Sequence, residues 1–375
     1  PRLGKWGITF NELSFPVSES FPGKIIRFLH ISRLPVLINI IRGDMSFVGP
    51  LPASPGDFSL QEKAVRKRYN VRPGIISLWW IRRRANIDYG AQLEVDMEYV
   101  QTHSLVTDLG ICLRAIPAIL YGEAIIEAPK KLEILRIRID NITMAEAVET
   151  ILQWLGESRS KQICFVNADC ANIAYRSPDY LKVLNDSTLC LADGIGLKIA
   201  GKLLGQEIAQ NVNGTDMFPL LCKSLDQTHF GLFLLGARPE VVEGVANWVH
   251  SNYPNLKLCG YRHGYFNSEE EPEIIQEIKN SGAHLLLVAL GAPGQDMWIN
   301  RHLDETGVLV AIGVGGLFDF YSGRISRAPA WVREIGMEWF YRFLQEPGRL
   351  WKRYFVGNSV FLSRVLREKL FSREK

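Results

Sequence analysis

The pattern of apolar and polar positions changes character twice along the chain. Up to about residue 126, apolar residues recur irregularly among Pro, Arg and Trp, and no single period holds. At "LEILRIRID" (132–140) the chain switches to strict alternation, which predicts a half-buried strand. "MAEAVETILQWL" (144–155) has helical spacing, with Asn141 or Thr143 placed to cap it. Strand-like and helix-like runs then take turns. The strand candidates are "QICFVN", "STLCLAD", "HFGLFLLG", "LKLCGY", "AHLLLVALG" and "VLVAIGVGG", each separated from the next by a helical stretch. Such alternation predicts a largely parallel, Rossmann-like α/β sheet with helices on both faces. From Glu338 onward the pattern changes again, and aromatic residues interleave with Arg and Lys. Three regions follow: a smaller α+β domain over 1–126, the α/β domain over 134–337, and a basic aromatic tail over 338–375. Ala128-Pro129-Lys130-Lys131 reads as the linker between the first two.

Composition narrows the classes. A chain of 375 residues suits two domains, and 47% hydrophobic content lets each bury a core. A formal charge of +3 is too small to argue for nucleic acid. Six cysteines show no metal-ligand spacing and fit a reduced, cytoplasmic setting. The most apolar stretch, Val106 to Ile126, is broken by Asp108, Arg114 and Pro117, so no spanning helix is predicted. The chain starts at Pro1 rather than Met, which leaves room for an upstream membrane anchor.

Parallel sheets bind ligands at the carboxyl ends of their strands. Asn167, Asp193, Gly236, Gly291 and Gly315 all fall at such ends. In "LADGIG", Asp193 follows an apolar strand. Partial shielding from water would raise its pKa and suit it to act as a base; its alternative is to cap the next helix. Gly236 in "LGARPE" would let a diphosphate approach a helix N-terminus, or simply form a βα turn. In "GVGGLFDF", Gly313, Gly315 and Gly316 permit close backbone approach, and Asp319 could hold a sugar hydroxyl. "LGAPGQDMW" brings Gly291, Pro293 and Gln295 together at a helix start, and "NGTDMF" does the same for Asn213, Thr215 and Asp216. Each piece alone is also ordinary turn and cap chemistry.

Taken together, "VNAD", "LADGIG", "NGTDMF", "FLLGARPE", "GYF", "LGAPGQDMW", "GVGGLFDFYSG", "RAP" and "EWFYRFLQEPGRLWKRY" occur in the order seen in the WecG/TagA/CpsF glycosyltransferases, which residues 134–355 resemble. The resemblance implies an inverting enzyme that needs no metal or other cofactor. The sugar would be N-acetylmannosamine, its uronic acid or a hexose. It would pass from a UDP-sugar to a polyprenyl-diphosphate-linked sugar in cell-surface polysaccharide synthesis. Asp193 and Gln295 are then the catalytic candidates. Asn167, Asn213, Thr215, Asp216 and Arg327 would bind substrate. Gly236, Gly291, Pro293, Gly315, Gly316 and Asp319 would line the nucleotide. Some members carry Thr two residues before the Asn, where this chain has Phe165. The tail would lie on the inner face of the cell membrane, with Arg342, Arg349, Lys352 and Arg353 meeting lipid or diphosphate. It is expected to be dispensable for the folded core.

Residues 2–123 resemble the bacterial sugar transferases, phosphoglycosyl transferases that move a sugar phosphate onto polyprenyl phosphate. "RLGKWGITF", "LPVLINIIRGDMSFVGPLP", "VRPGIISLWW", "IDY", "DMEYV" and "HSLVTDLGICLRAI" carry the likeness. The reactive positions depart from it. The family has an Asp-Glu pair where this chain has Ser32-Arg33, and a phosphate-reading Arg where it has Leu51. Ile76 and Trp80 are further departures. Asp44, Gly49 and Pro50 then read as turn residues. The implied role is a domain without chemistry that docks on the membrane or on a partner transferase. The rivals are a bifunctional enzyme, or a scaffold inactive in both halves.

If the first domain is inactive, the full chain should release no UMP from UDP-sugars in a polyprenyl-phosphate-dependent way. UMP release that disappears in Ser32→Ala would show that domain to be catalytic.

Overall fold

The computed structural model describes residues 1–15, 34–56, 63–84, 91–121 and 130–371. Ser32, Arg33, the "IDY" motif and the linker residues Ala128 and Pro129 lie outside the described residues. The chain forms two compact units. The first is Pro1–Gly122 together with Pro329–Met337; the second is Glu123–Ala328 together with Glu338–Lys375.

In the first unit, β1 (Ser46–Val48) pairs in parallel with β2 (Gly74–Ile76). Gly49 and Gly74 lie so close that a Cβ on either would strike the other's backbone, which explains both glycines without a ligand. Helices α1 (Leu78–Arg84), α2 (Gln92–Thr102) and α3 (Leu105–Tyr121) follow. Val48, Leu78, Ile81, Val95, Tyr99 and Ile111 form the core. A buried ion pair, Arg68 Nε to Asp96 at 2.8 Å, crosses it, and Arg68 also donates to the carbonyl of Leu51. Asp44 sits in the turn after Val36–Arg42, where its backbone N–H donates to the Asn39 carbonyl. One face of α3 leaves Leu105, Val106, Leu109, Leu113 and Ile116 exposed.

In the second unit the alternation over 132–140 resolves into two strands, not one. β3 (Lys131–Ile134) turns at Leu135-Arg136, both at positive φ, into the antiparallel β4 (Ile137–Asp140). Neither turn residue is Gly or Asn, the usual signals for a two-residue hairpin. The turn is instead held by tertiary contacts: Leu135 is buried, and its N–H donates to Glu368 at 3.1 Å. Thr143, not Asn141, caps α4 (Met144–Trp154) through a reciprocal capping box with Glu146.

The βα units then run as expected. They are β5 (Lys161–Val166), α5 (Ala168–Arg176), β6 (Leu189–Ala192), α6 (Ile195–Leu204), α7 (Gly214–Leu225), β7 (Gly231–Gly236), α8 (Pro239–Asn252), β8 (Lys257–Arg262), β9 (Leu285–Ala289), α9 (Gly294–Thr306), β10 (Val310–Gly313) and α10 (Leu317–Tyr321). The sheet order is β8-β7-β9-β10-β5-β6-β4-β3, and only the β3–β4 pair is antiparallel. Strands read as continuous apolar runs because both faces are covered. In β5, Ile163 and Phe165 enter one core while Cys164 and Val166 enter the other. After β6 the chain crosses the sheet to β7 and works back to β10, so β5 lies between its two directions of growth. That is where a doubly wound sheet opens a crevice.

The 338–375 stretch is not a free tail. It belongs to the second unit, and α12 (Asn358–Phe371), which follows α11 (Glu338–Gln345), sends Phe361 and Val365 fully buried into the core. The expectation that the core could do without this stretch is therefore corrected: its aromatic and aliphatic positions are partly core positions. Phe361→Ala should cost about 3–5 kcal/mol of stability, read as a lower denaturant midpoint of the full chain at unchanged m-value.

Candidate active site

Asp193 stands just past β6. Its N–H donates to the Val166 carbonyl at 2.7 Å, and the next N–H, of Gly194, donates to Asn211 Oδ1 at 2.6 Å. The backbone is thus pinned on both sides of the carboxylate. The cap alternative does not hold: Gly194, at φ 90°, is the N-cap of α6, and no side chain caps that helix. The Asp193 carboxyl is free for other work and is pushed up to about 6 by burial. The Arg353 charge and a hydrogen bond from Asn167 pull it down, whereas Glu338 and Asp216 push it further up.

Asn167 serves two purposes. Its Oδ1 caps α5 by accepting from Asp169 and Cys170 N–H at 3.0 and 3.1 Å, while its amide meets Asp193. Asn213 likewise caps α7, accepting from the Asp216 N–H at 2.8 Å, and donates to the Asp216 carboxylate at 2.7 Å. Thr215 gives its carbonyl to the Tyr321 hydroxyl at 2.6 Å. Arg327 is paired with Asp216 and, at 3.5 Å, with Glu338. Its charge is shared between these two carboxylates.

The glycine loops divide. Gly236 is explained by packing, because a Cβ there would strike the backbone of Ala289. The expected diphosphate approach is not needed to account for it. Gly291, at φ 78°, faces open space, and Pro293 follows a cis peptide at the start of α9. Gln295 is buried, and its Oε1 accepts from the N–H groups of Gly291 at 3.2 Å and Gly315 at 2.8 Å. It ties the two loops together. Asp319 is held by Arg324 at 2.5 Å, so its carboxylate already has a cationic partner.

The basic residues also divide. Arg342 is packed over the Phe320 ring, with its guanidinium directly on Gly316. Its Nε is buried with no hydrogen-bond partner among the described residues. Burial holds its pKa below the usual arginine value. Arg353 pairs with Asp169 at 3.2 Å and stands near Asp193. Arg349 pairs with Glu346 and is half exposed; Lys352 is exposed beside Trp351. The four cations look alike in sequence, but Arg342 packs inward against Gly316 and Arg353 stands close enough to act on Asp193.

Three side chains were not anticipated. Glu338 lies by Arg327 and Asp193, and Tyr354 lies among Arg342, Arg353 and Asp193. Asp296, beside Gln295, is fully buried, accepts from the Tyr180 hydroxyl at 2.8 Å, and has a carboxyl pushed up to about 6 by burial. A Glu in the first turn of a helix is ordinary dipole complementation, so nothing in sequence singled out Glu338.

The chain can now be compared with known proteins. The bacterial sugar transferase family matches residues 20–122, and the WecG/TagA/CpsF glycosyl transferase family matches residues 132–375. Two similar proteins share one name, N-acetylglucosaminyldiphosphoundecaprenol N-acetyl-beta-D-mannosaminyltransferase. The one from Bacillus subtilis (strain 168) is 35% identical over 51% of this chain and 73% of its own. The one from Staphylococcus aureus (strain MW2) is 32% identical over 64% of this chain and 93% of its own. With a family match over more than half its length, and the family's motifs gathered around Asp193, the chain belongs to the WecG/TagA/CpsF glycosyltransferase family, preceded by a bacterial sugar transferase-like domain.

Proposed function

We propose that this glycosyltransferase moves N-acetylmannosamine, or a related hexose or uronic acid, from a UDP-sugar to N-acetylglucosamine on a polyprenyl diphosphate. The observation that carries the reading is the Asp193 carboxylate, pinned at a strand end, free of capping duty and raised to about 6. The acceptor and the sugar follow the names of the two relatives. In one displacement the acceptor hydroxyl oxygen bonds to the anomeric carbon as the bond from that carbon to the diphosphate oxygen breaks. The hydroxyl proton passes to Asp193, and UDP leaves with the bonding pair. A positioned base contributes about 10²–10⁴-fold. The leaving diphosphate gains charge, which Arg342 would meet beside the glycine loop at Gly316. Gln295 holds the Gly291 and Gly315 loops in register without needing to touch the reacting atoms. Arg327 would set the place of Asp216 and Glu338, and Asn213 and Thr215 the start of α7.

A polyprenyl acceptor puts the reaction at the cytoplasmic membrane face. No helix among the described residues is long and apolar enough to cross a membrane. Trp351, Phe355 and Val356 are exposed beside Lys352, a composition suited to lipid headgroups. The exposed apolar stripe of α3 would serve the first unit's docking on the membrane or a partner transferase.

Asp193→Asn should lower kcat by about 10²-fold or more, with donor affinity nearly unchanged. The pH profile gives the sign. A base works unprotonated, so wild-type kcat/KM should fall as pH drops through about 6. A carboxyl raised on folding is a net cost once ionised, so the Asn variant should melt no lower than wild type at pH 7.5. Full activity in a folded Asn variant would remove Asp193 from this role.

Arg342 and Arg349 separate nucleotide binding from lipid binding. Arg342→Gln should weaken UDP-sugar binding roughly 10-fold, in line with loss of a charged hydrogen bond, measured by calorimetry. Arg349→Gln should leave donor binding within about 2-fold and weaken sedimentation with anionic vesicles at low salt.

A further inference from the structure

Asn172 stands in the middle of α5, where its weak helix propensity offers no local reason for an Asn. Its side chain is buried, and both ends of its amide are used away from that helix. Oδ1 accepts from Arg364 Nη1 at 2.7 Å, and the same nitrogen donates to the Asn172 carbonyl at 3.2 Å. Arg364 thereby settles which way the amide faces. Nδ2 then donates to the Gly357 carbonyl at 2.7 Å. Gly357 closes the π-helical turn Lys352–Gly357, and Arg364 stands on α12, directly behind it. One buried amide thus ties α5 to the end of this turn and to the helix that follows. All of these residues belong to the second unit.

The turn carries Arg353, which meets α5 a second time through Asp169 at 3.2 Å. The Asp169 N–H donates to Asn167 Oδ1, and Val166, the residue before Asn167, accepts from the Asp193 N–H. The turn, the start of α5 and Asp193 are therefore linked by short contacts throughout. The Arg353–Asp169 pair leaves both side chains more than a third exposed. A pair so open holds little by itself. Leaving a buried amide and a carbonyl unpaired is costly by comparison. The amide, rather than the ion pair, fixes the turn.

We infer that Asn172 is a positioning residue for glycosyl transfer: by seating the turn Lys352–Gly357 on α5, it sets where Arg353 stands beside Asp193. The inference rests on the reading of this site as the transferase site. The groups that face Asp193 are Arg353, Glu338, Asp216, Tyr354 and the Asn167 amide. Arg353 is the cation among them and draws the carboxyl down. A turn that slips takes this charge away from Asp193. A displacement of about 1 Å at a catalytic constellation can cost on the order of 10²-fold in rate.

The test uses the full chain, UDP-N-acetylmannosamine and a short-chain lipid-diphosphate N-acetylglucosamine acceptor. Asn172→Ala removes both amide bonds without adding charge. It should lower kcat about 10-fold or more. It should also move the acid limb of kcat/KM to higher pH, because a base that has lost its cation is protonated earlier as pH falls. Arg353→Gln should do the same. If Asn172 acts through Arg353, the double variant should lose no more than about 2-fold beyond Arg353→Gln alone, since residues in one network are not additive. The matched control is Thr143→Ala, which removes the capping box of α4. It should lower the melting temperature while kcat and the acid limb stay as in wild type. Wild-type kinetics in a folded Asn172→Ala protein overturn the inference, as do losses that multiply in the double variant or an equal change in Thr143→Ala. If Asn172→Ala does not fold, Asn172→Asp decides. It keeps the volume and the Arg364 contact and replaces the donor to Gly357 with an oxygen, so the turn alone is released. Its kcat should fall with the same lack of additivity toward Arg353→Gln, and wild-type kcat or multiplied losses there overturn the inference. Should Asp193→Asn remain active, the base assignment fails, and the coupling of Asn172→Ala to Arg353→Gln still decides the role of Asn172.

Discussion

Everything in the site depends on how much negative charge can be kept together at the ends of β5 and β6. Asp193, Asp216 and Glu338 interact there, and Asp169 lies close by. Carboxylates so placed repel one another unless cations stand among them. Arg327 sits between Asp216 and Glu338, and Arg353 pairs with Asp169 while drawing Asp193 down. Burial and the neighbouring acids push Asp193 the other way. The balance leaves its carboxyl raised to about 6, so that it is mostly ionised at pH 7. One acid comes from the sheet, and much of the opposing charge comes from beyond Glu338. The C-terminal stretch is therefore part of the site's electrostatics.

The same stretch shows why its outward appearance in sequence misleads. Aromatic residues beside Arg and Lys look like an interfacial helix. Arg342 instead buries its guanidinium against Gly316, and Phe361 reaches the core through α12. Amphipathic patterning reports that a helix has two faces, without saying which face meets protein and which meets solvent or lipid. Here different turns of one segment do each.

The strands, the parallel sheet and the position of the crevice were legible because each rests on local signals: apolar runs, glycine turns and caps. Asp193 and Asn167 were legible as strand-end polar residues. Which of them caps a helix was not, since either Asn167 or Asp193 suits a cap until Gly194 is seen to occupy the position before Ile195–Leu204. The hairpin at Leu135-Arg136 was hidden because its turn lacks Gly or Asn and is held instead by burial and by Glu368, over two hundred positions away in sequence. Gln295 was legible as a catalytic candidate, whereas the tie its oxygen makes to two backbone N–H groups was not, because Gly315 lies twenty positions away. Glu338 opens the motif "EWFYRFLQEPGRLWKRY" without being marked in it as a site residue, and Glu334 left no sequence signal. Their partners are ion pairs fixed by tertiary structure, and no period or motif encodes such a pairing.

A buried ion pair is a weak source of stability, because desolvation offsets most of the attraction, and apolar residues of like volume often do as well or better. The Arg82–Glu334–Arg114 cluster is therefore poorly explained as glue for a core that already holds Val48, Leu78, Ile81 and Ile111. Apolar contacts tolerate sliding, whereas a carboxylate held by two guanidinium groups accepts one orientation. What the charges add is register: Glu334 can meet Arg82 and Arg114 at once in only one place on the first unit's own frame.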